Sequence, residues 1–283
     1  MDNYGATIRE LRKSKGLTIA ELSEDIISLP FLSKYERGSS DISTSNFFKL
    51  IDRLNVSMLE FEIVYLQYDD KSNFSFMDKL KKCLGSDNKL ALNNLIEEEK
   101  KYYIEDKNIR HKHNLIILEQ HLNRVCGLKY DSNKIKSITN YLMIVDDWSY
   151  YEVSLFGNSI FFIPDDTVEF LLKSAIKKNL LFESLSNNKH ELSLVLINGI
   201  LKFIENNQLN KAKKIIRLTE EFLKNTTFYY EINKLKFLKG IVLIKSRNEK
   251  GLEMCEKSIE IMNLMGNYEL ANSHKIFLDN VIV

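Results

Sequence analysis

Apolar residues recur at helical spacing along almost the whole of this 283-residue chain. Ile8 and Leu11 stand three apart, and Phe47, Leu50, Ile51 and Leu54 form an i, i+3, i+4, i+7 stripe. That is the pattern of a helix with one face in a core. Start and stop signals punctuate the stripes. Thr18 with Glu21 and Ser57 with Glu60 have capping-box spacing, Ser43 precedes an apolar run, and Gly16 and Gly38 stand just past expected helix ends. Pro30 is tolerable in a first turn, where the amide has no i−4 acceptor to lose. The pattern predicts five helices in the first 66 residues: about 7–14, 18–26, 29–37, 44–54 and one starting after Ser57.

A polar run from Tyr68 to Asn73 breaks the pattern and marks a hinge. Helices then follow one another at about 75–84, 87–106, 108–127, 131–146, 148–162, 166–183, 189–206, 208–224, 227–246, 249–265 and 267–280, with Pro164-Asp165-Asp166 as an acidic helix start. A loose repeat is visible late in the chain. Asn207…Ala212…Leu223 recurs about 39 residues on as Ser246…Gly251…Met262, with a small residue where paired helices pack closest. Helix pairs at that period suggest tetratricopeptide-like repeats, which stack into a superhelix with a concave ligand surface. The expected fold is all-α: a five-helix domain over 1–66, a linker over 67–74, and a right-handed TPR-like superhelix over 75–283.

Two short helices joined by a tight connection, about 18–26 and 29–37, form a helix-turn-helix, whose second helix enters the DNA major groove. The run Ile8-Arg9-Glu10-Leu11-Arg12-Lys13-Ser14-Lys15-Gly16-Leu17-Thr18, then Leu32-Ser33-Lys34-Tyr35-Glu36-Arg37-Gly38, resembles the Xre/Cro-type repressors. Asp41-Ile42-Ser43, Leu54-Asn55-Val56 through Glu60-Phe61, and Asp147-Trp148-Ser149-Tyr150-Tyr151-Glu152 through Leu155-Phe156-Gly157-Asn158 resemble the Rgg/GadR/MutR regulators. This resemblance covers nearly the whole chain. It implies a cytoplasmic, homodimeric transcription regulator of a Gram-positive bacterium, many relatives being controlled in quorum sensing by a short peptide pheromone. Two departures stand out. The turn before the second helix carries Ile26-Ile27 and no glycine, and the positions that often touch bases are Leu29, Pro30 and Phe31, none a side-chain donor. Thymine-methyl contacts, Lys34 and DNA shape are therefore expected to carry specificity.

Charge adds little at the scale of the chain. The net charge is +1, and residues 1–66 hold eight Lys/Arg against ten Asp/Glu, 8 − 10 = −2. Local placement matters more, because a basic cluster aimed at phosphates acts despite a near-neutral domain. Arg9, Arg12, Lys13 and Lys15 cluster on the first helix and Lys34 and Arg37 on the third. The expected contacts to double-stranded promoter DNA are Arg9, Arg12, Lys13, Ser28, Leu29, Phe31, Lys34, Tyr35 and Arg37, with Arg12 at a phosphate.

No phosphate loop, nucleophile elbow or HExxH occurs, so neither an enzyme nor a cofactor is expected. His111 and His113 lie on different faces of a helix and make a poor metal pair; Cys83, Cys126 and Cys255 lack metal-site spacing. Glu97-Glu98-Glu99 reads as a solvated face. No run of 18 apolar residues is present, and the N-terminus lacks a signal peptide's apolar core, so no membrane partner is expected. Trp148, Tyr150 and Tyr151 read as packing core before ligand platform. Asn158 and Asn198 sit in apolar surroundings, where an unpaired amide costs about 1–3 kcal/mol. Each either pairs between helices or lines a groove for an extended peptide. On the resemblance, the groove residues are Asn158, Asn198, Tyr230 and Asn233, with Phe162 and Leu194 taking apolar side chains of the short peptide ligand. Two other readings stay open at this point: a small-molecule or stress sensor on the same fold, and an interaction scaffold with a degenerate helix-turn-helix.

Overall fold

The computed structural model describes residues 4–66, 73–85, 88–182 and 185–282. These residues hold sixteen α-helices and no strand. They divide into two compact units, Met1–Ser86 and Asp87–Val283.

In the first unit α1 (Tyr4–Ser14), α2 (Ile19–Ser23), α3 (Leu29–Glu36), α4 (Thr44–Arg53) and α5 (Met58–Leu66) surround Ile8, Leu22, Leu32, Leu50 and Leu54, all wholly buried. Both expected capping boxes form. Thr18 Oγ1 accepts the Glu21 amide at 3.2 Å while Glu21 Oε2 accepts the Thr18 amide at 2.7 Å, and Ser57 with Glu60 repeats the exchange at 3.2 and 2.7 Å. Helix α2 ends three residues sooner than its apolar pattern suggests. Asp25 adopts φ +55°, the left-handed conformation a glycine would usually supply, and turns Ile26 and Ile27 back onto the core. Helix α1 runs so close to α3 that a Cβ on Gly5 would overlap the Tyr35 carbonyl oxygen. Helix α6 (Asn73–Gly85) groups with this unit, although the sequence pattern assigns residues from 75 onward to the repeats. Residues 67–72 of the expected linker lie outside the described residues.

The second unit runs α7 (Lys89–Asp106), α8 (Ile109–Val125), α9 (Ser132–Ile144), α10 (Tyr150–Ser159), a 3-10 turn (Ile160–Phe162), α11 (Asp165–Lys178), α12 (Ser186–Glu205), α13 (Leu209–Phe222), α14 (Tyr229–Lys245), α15 (Lys250–Leu264) and α16 (Tyr268–Ile282). Successive hairpins stack in two layers. Helices α8, α10, α12, α14 and α16 are neighbours in one, and α9, α11 and α13 in the other. This is the repeat arrangement the helix spacing predicts. The small residue at Gly251 has the expected purpose: a Cβ there would lie 2.5 Å from the Gly240 carbonyl oxygen, so α14 and α15 cross nearly backbone to backbone.

Trp148 is wholly buried where α9, α10, α11 and α12 meet. Its indole donates to the Leu142 carbonyl at 3.2 Å, its amide to Lys178 O at 2.7 Å, and its carbonyl accepts from Asn179 Nδ2 at 3.0 Å and Asn188 Nδ2 at 3.4 Å. The Lys178 ammonium caps α9 by donating to the Leu142, Met143 and Val145 carbonyls, satisfying groups the helix end leaves open. The acidic run of α7 is not uniformly solvated as its composition suggests. Glu97 stays in water, but Glu99 is buried, where it accepts from His111 Nδ1 at 2.7 Å and Asn114 Nδ2 at 3.2 Å.

Candidate functional site

The first candidate surface is the exposed side of α3. Leu32, Tyr35 and Glu36 face the core; Ser28, Leu29, Pro30, Phe31, Lys34 and Arg37 face solvent. Ser28 is the N-cap but makes no side-chain cap bond, which leaves its hydroxyl for a ligand. Arg37 Nη1 donates to Ser33 Oγ at 2.8 Å along the same helix. Arg9 and Lys13 are exposed on α1. These side chains can meet a duplex as the sequence expects.

Two residues of the expected set cannot. Arg12 is buried, with Nε 2.6 Å from Glu36 Oε1, Nη2 2.8 Å from Glu36 Oε2 and Nη1 2.8 Å from the Leu17 carbonyl. Its guanidinium is committed to a two-pronged ion pair that ties α1 to α3, and the phosphate contact expected of it is corrected to a structural role. Tyr35 is also in the core, where burial foremost, helped by the charge of Asp41, pushes its hydroxyl up to about 12. It supports α3 from behind and does not face a ligand.

The second candidate surface is the open side of α10, α12 and α14. On α12 the accessible positions are Asn187, Lys189, His190, Glu191, Leu194, Asn198, Leu201 and Glu205; from Glu191 onward they follow one another at three or four residues and form a stripe one side chain wide. The accessible positions of α10 are Tyr150, Tyr151, Gly157 and Asn158, followed by Phe161 in the 3-10 turn. Gly157 packs against Val195: a Cβ on it would lie 2.8 Å from a Val195 methyl, so the two helices lie side by side. Asn158 Nδ2 donates to Ser154 O at 2.7 Å. Asn198 is half-buried, and among the described residues its amide has no hydrogen-bond partner. Tyr230, 39 % exposed, opens α14 with the Lys234 ammonium 5.8 Å from its ring centre. Glu191 and Leu201 were not picked out from the sequence, and the half-exposed i, i+3, i+4 stripe is the signal that marks them; Tyr150, read from the sequence as packing core before ligand platform, is exposed here.

Two expected groove residues belong elsewhere. Asn233 is buried and faces α15: its Nδ2 donates to Ser258 O at 2.9 Å, and Ser258 Oγ donates to Asn233 Oδ1 at 2.8 Å and Asn233 O at 2.7 Å. Its amide is used up holding two helices together. Phe162 is buried in the 3-10 turn, edge-on to His121 and Tyr130 with ring centres at 4.8 and 4.9 Å, and offers no open face. The two histidines of α8 also part company. His111 turns to Glu99, while His113 Nδ1 sits 2.7 Å from the Tyr151 hydroxyl, its pKa lowered to about 4, chiefly by burial. No helix among the described residues is long and apolar enough to cross a membrane.

Known proteins share this arrangement. The chain matches the solved structure of Rgg2, the SHP pheromone receptor of Streptococcus dysgalactiae, at 24% identity over 98% of this chain and 99% of that one, with a TM-score of 0.81. A protein from Listeria monocytogenes EGD-e matches at 21% identity over 99% and 97% with a TM-score of 0.83, and PrgX in complex with iCF10 at 16% identity over 99% and 96% with a TM-score of 0.72. Likeness at these identities establishes the shared all-α architecture. Residues 8–61 match the helix-turn-helix family profile, and residues 92–276 match the C-terminal domain of the HTH-type transcriptional regulator Rgg. With that match spanning well over half of its length, and a helix-turn-helix in front of it, the chain belongs to the Rgg family, a family of DNA-binding transcriptional regulators and not of enzymes.

Proposed function

We propose that this regulator is a cytoplasmic homodimer that binds a promoter operator through α3 and is controlled by a short peptide pheromone lying across α10, α12 and α14. The observation that carries the peptide is Asn198, a half-buried amide with no partner among the described residues, in the middle of an accessible stripe. An amide supplies two donors and an acceptor, which suits the main chain of an extended peptide whatever its side chains. Leu194 and Leu201 flank it one turn away on either side and suit apolar peptide side chains. Asn158 and Tyr230, accessible on the neighbouring helices α10 and α14, would complete the same groove. The relatives support the reading: Rgg2 is described as a pheromone receptor, and PrgX has been solved with iCF10.

The test pairs a mobility shift on upstream DNA with direct peptide binding, using the tightest binder recovered from a synthetic pool of eight-residue apolar peptides. Asn198→Ala is expected to keep its melting temperature and basal DNA binding while losing about tenfold or more in peptide affinity. Full affinity in a folded Asn198→Ala variant removes the groove from this face; a variant that melts instead makes the amide structural.

Dimerisation is proposed through α15 and α16. Leu264 is 80 % and Met265 63 % exposed, whereas Met262 of the same apolar set is buried in its own protomer. Leu264→Asp is expected to turn a dimer into a monomer in light scattering at micromolar concentration, and a persisting dimer moves the interface elsewhere.

A further inference from the structure

The tip of α3 is unusual for a helix that reads bases. Its first turn presents Leu29, 47 % exposed, Pro30, and Phe31, 38 % exposed, with the Ser28 hydroxyl as the one polar side-chain group beside them. The unit buries Ile8, Leu22, Leu32, Leu50 and Leu54 completely, so apolar surface left in water here is not for want of a core. No side chain of this turn can make the paired hydrogen bonds by which Arg reads guanine or Asn and Gln read adenine. Farther along α3, Lys34 offers a single ammonium, and Arg37 lies along the helix on Ser33.

In the major groove the 5-methyl of thymine is the apolar feature among hydrogen-bonding edges. Packing Leu29 and Phe31 on a G·C edge would desolvate guanine O6 and N7 or the cytosine amine with nothing to replace their water. Packing them on thymine buries apolar surface at no such cost. Resting on the DNA-binding reading above, we propose that Leu29 and Phe31 are the specificity-determining residues of this regulator and that they select thymine by its methyl group. The operator then carries, in each half-site, one or two thymines under the start of α3 whose information lies in the methyl and not in a hydrogen bond. Lys34 and the exposed Arg9 and Lys13 hold the backbone and add affinity without discriminating there.

The experiment selects binding sites from random duplex DNA with the full chain, then replaces each selected thymine in turn by deoxyuridine, which removes the methyl and keeps every hydrogen-bonding group. Deoxyuridine at those one or two positions is expected to weaken binding about fourfold each, the worth of one buried methyl. Phe31→Ala and Leu29→Ala, both at exposed positions and so folded by circular dichroism, are expected to lose that sensitivity while the remaining positions of the site keep theirs. A defined operator that tolerates deoxyuridine everywhere, or a deoxyuridine effect unchanged in both variants, overturns the thymine reading and leaves DNA binding standing. Enrichment of no sequence at all overturns the DNA-binding reading with it.

Discussion

Arg12→Ala is expected to unfold the first unit, and through that to abolish binding to every DNA sequence. The Arg12 and Glu36 side chains are 8% and 3% exposed, and they meet through two hydrogen bonds between α1 and α3. Removing one partner leaves the Glu36 carboxylate without a counter-charge in a dry interface, a change that costs about 3–5 kcal/mol when the pair is buried. A small unit has little more than that to lose. The measurement is a urea titration followed by circular dichroism beside a mobility shift. Trp148, the chain's single tryptophan, lies in the second unit, and its emission reports that unit separately. Replacing both partners by apolar side chains of similar size, Arg12→Met with Glu36→Leu, is expected to recover most of the stability and the DNA binding, because no charge is then stranded. A folded Arg12→Ala variant whose salt dependence of binding is shallower by about one unit would instead return Arg12 to a phosphate.

That contrast shows what the sequence could and could not disclose. The helices were legible because their signals are local: stripes at i, i+3 and i+4, the boxes Thr18…Glu21 and Ser57…Glu60, and the acidic start after Pro164, where α11 begins. Arg12 was not legible because its fate is set by Glu36, 24 residues away, and an arginine on a basic helix looks the same whether it faces phosphate or carboxylate. Glu99 was misread for the same reason, its partners lying 12 and 15 residues on. The asparagines divide along this line too. Asn198 and Asn233 both stand on helices of the same layer amid apolar neighbours, but Asn233 is turned towards α15, where Ser258 uses it. Phe162 was named on the resemblance as an apolar groove residue, in a helix expected to continue over 148–162; the chain instead enters a 3-10 turn at Ile160–Phe162, where Phe162 is buried. Asp25 is the converse case. The expected turn glycine is missing, yet an aspartate takes the left-handed conformation and the helix-turn-helix is kept.

The second large effect is expected at Trp148. It is the largest of the wholly buried side chains, stacked edge-on to Phe156 with ring centres 5.6 Å apart, and its backbone is held by Lys178, Asn179 and Asn188. It thus joins the end of α9 to the starts of α10 and α12, the two helices that carry Asn158 and Asn198. Trp148→Ala empties a space that the crossing helices cannot close, and costs about 3–5 kcal/mol. Trp148→Phe keeps a ring in place but loses the indole donor to Leu142 O; the Lys178 ammonium already donates to that carbonyl at 3.3 Å, so the loss is expected to stay within about 1–2 kcal/mol. Two melting transitions are therefore expected from Trp148→Ala by circular dichroism, the second unit moving down while the first keeps its midpoint. Peptide binding is expected to fail at temperatures where the DNA-binding unit is still folded, because α10 and α12 no longer hold a common register. Should Trp148→Ala melt within about 0.5 kcal/mol of the unsubstituted chain, the indole's burial contributes no more than a surface side chain and this junction does not hold the groove.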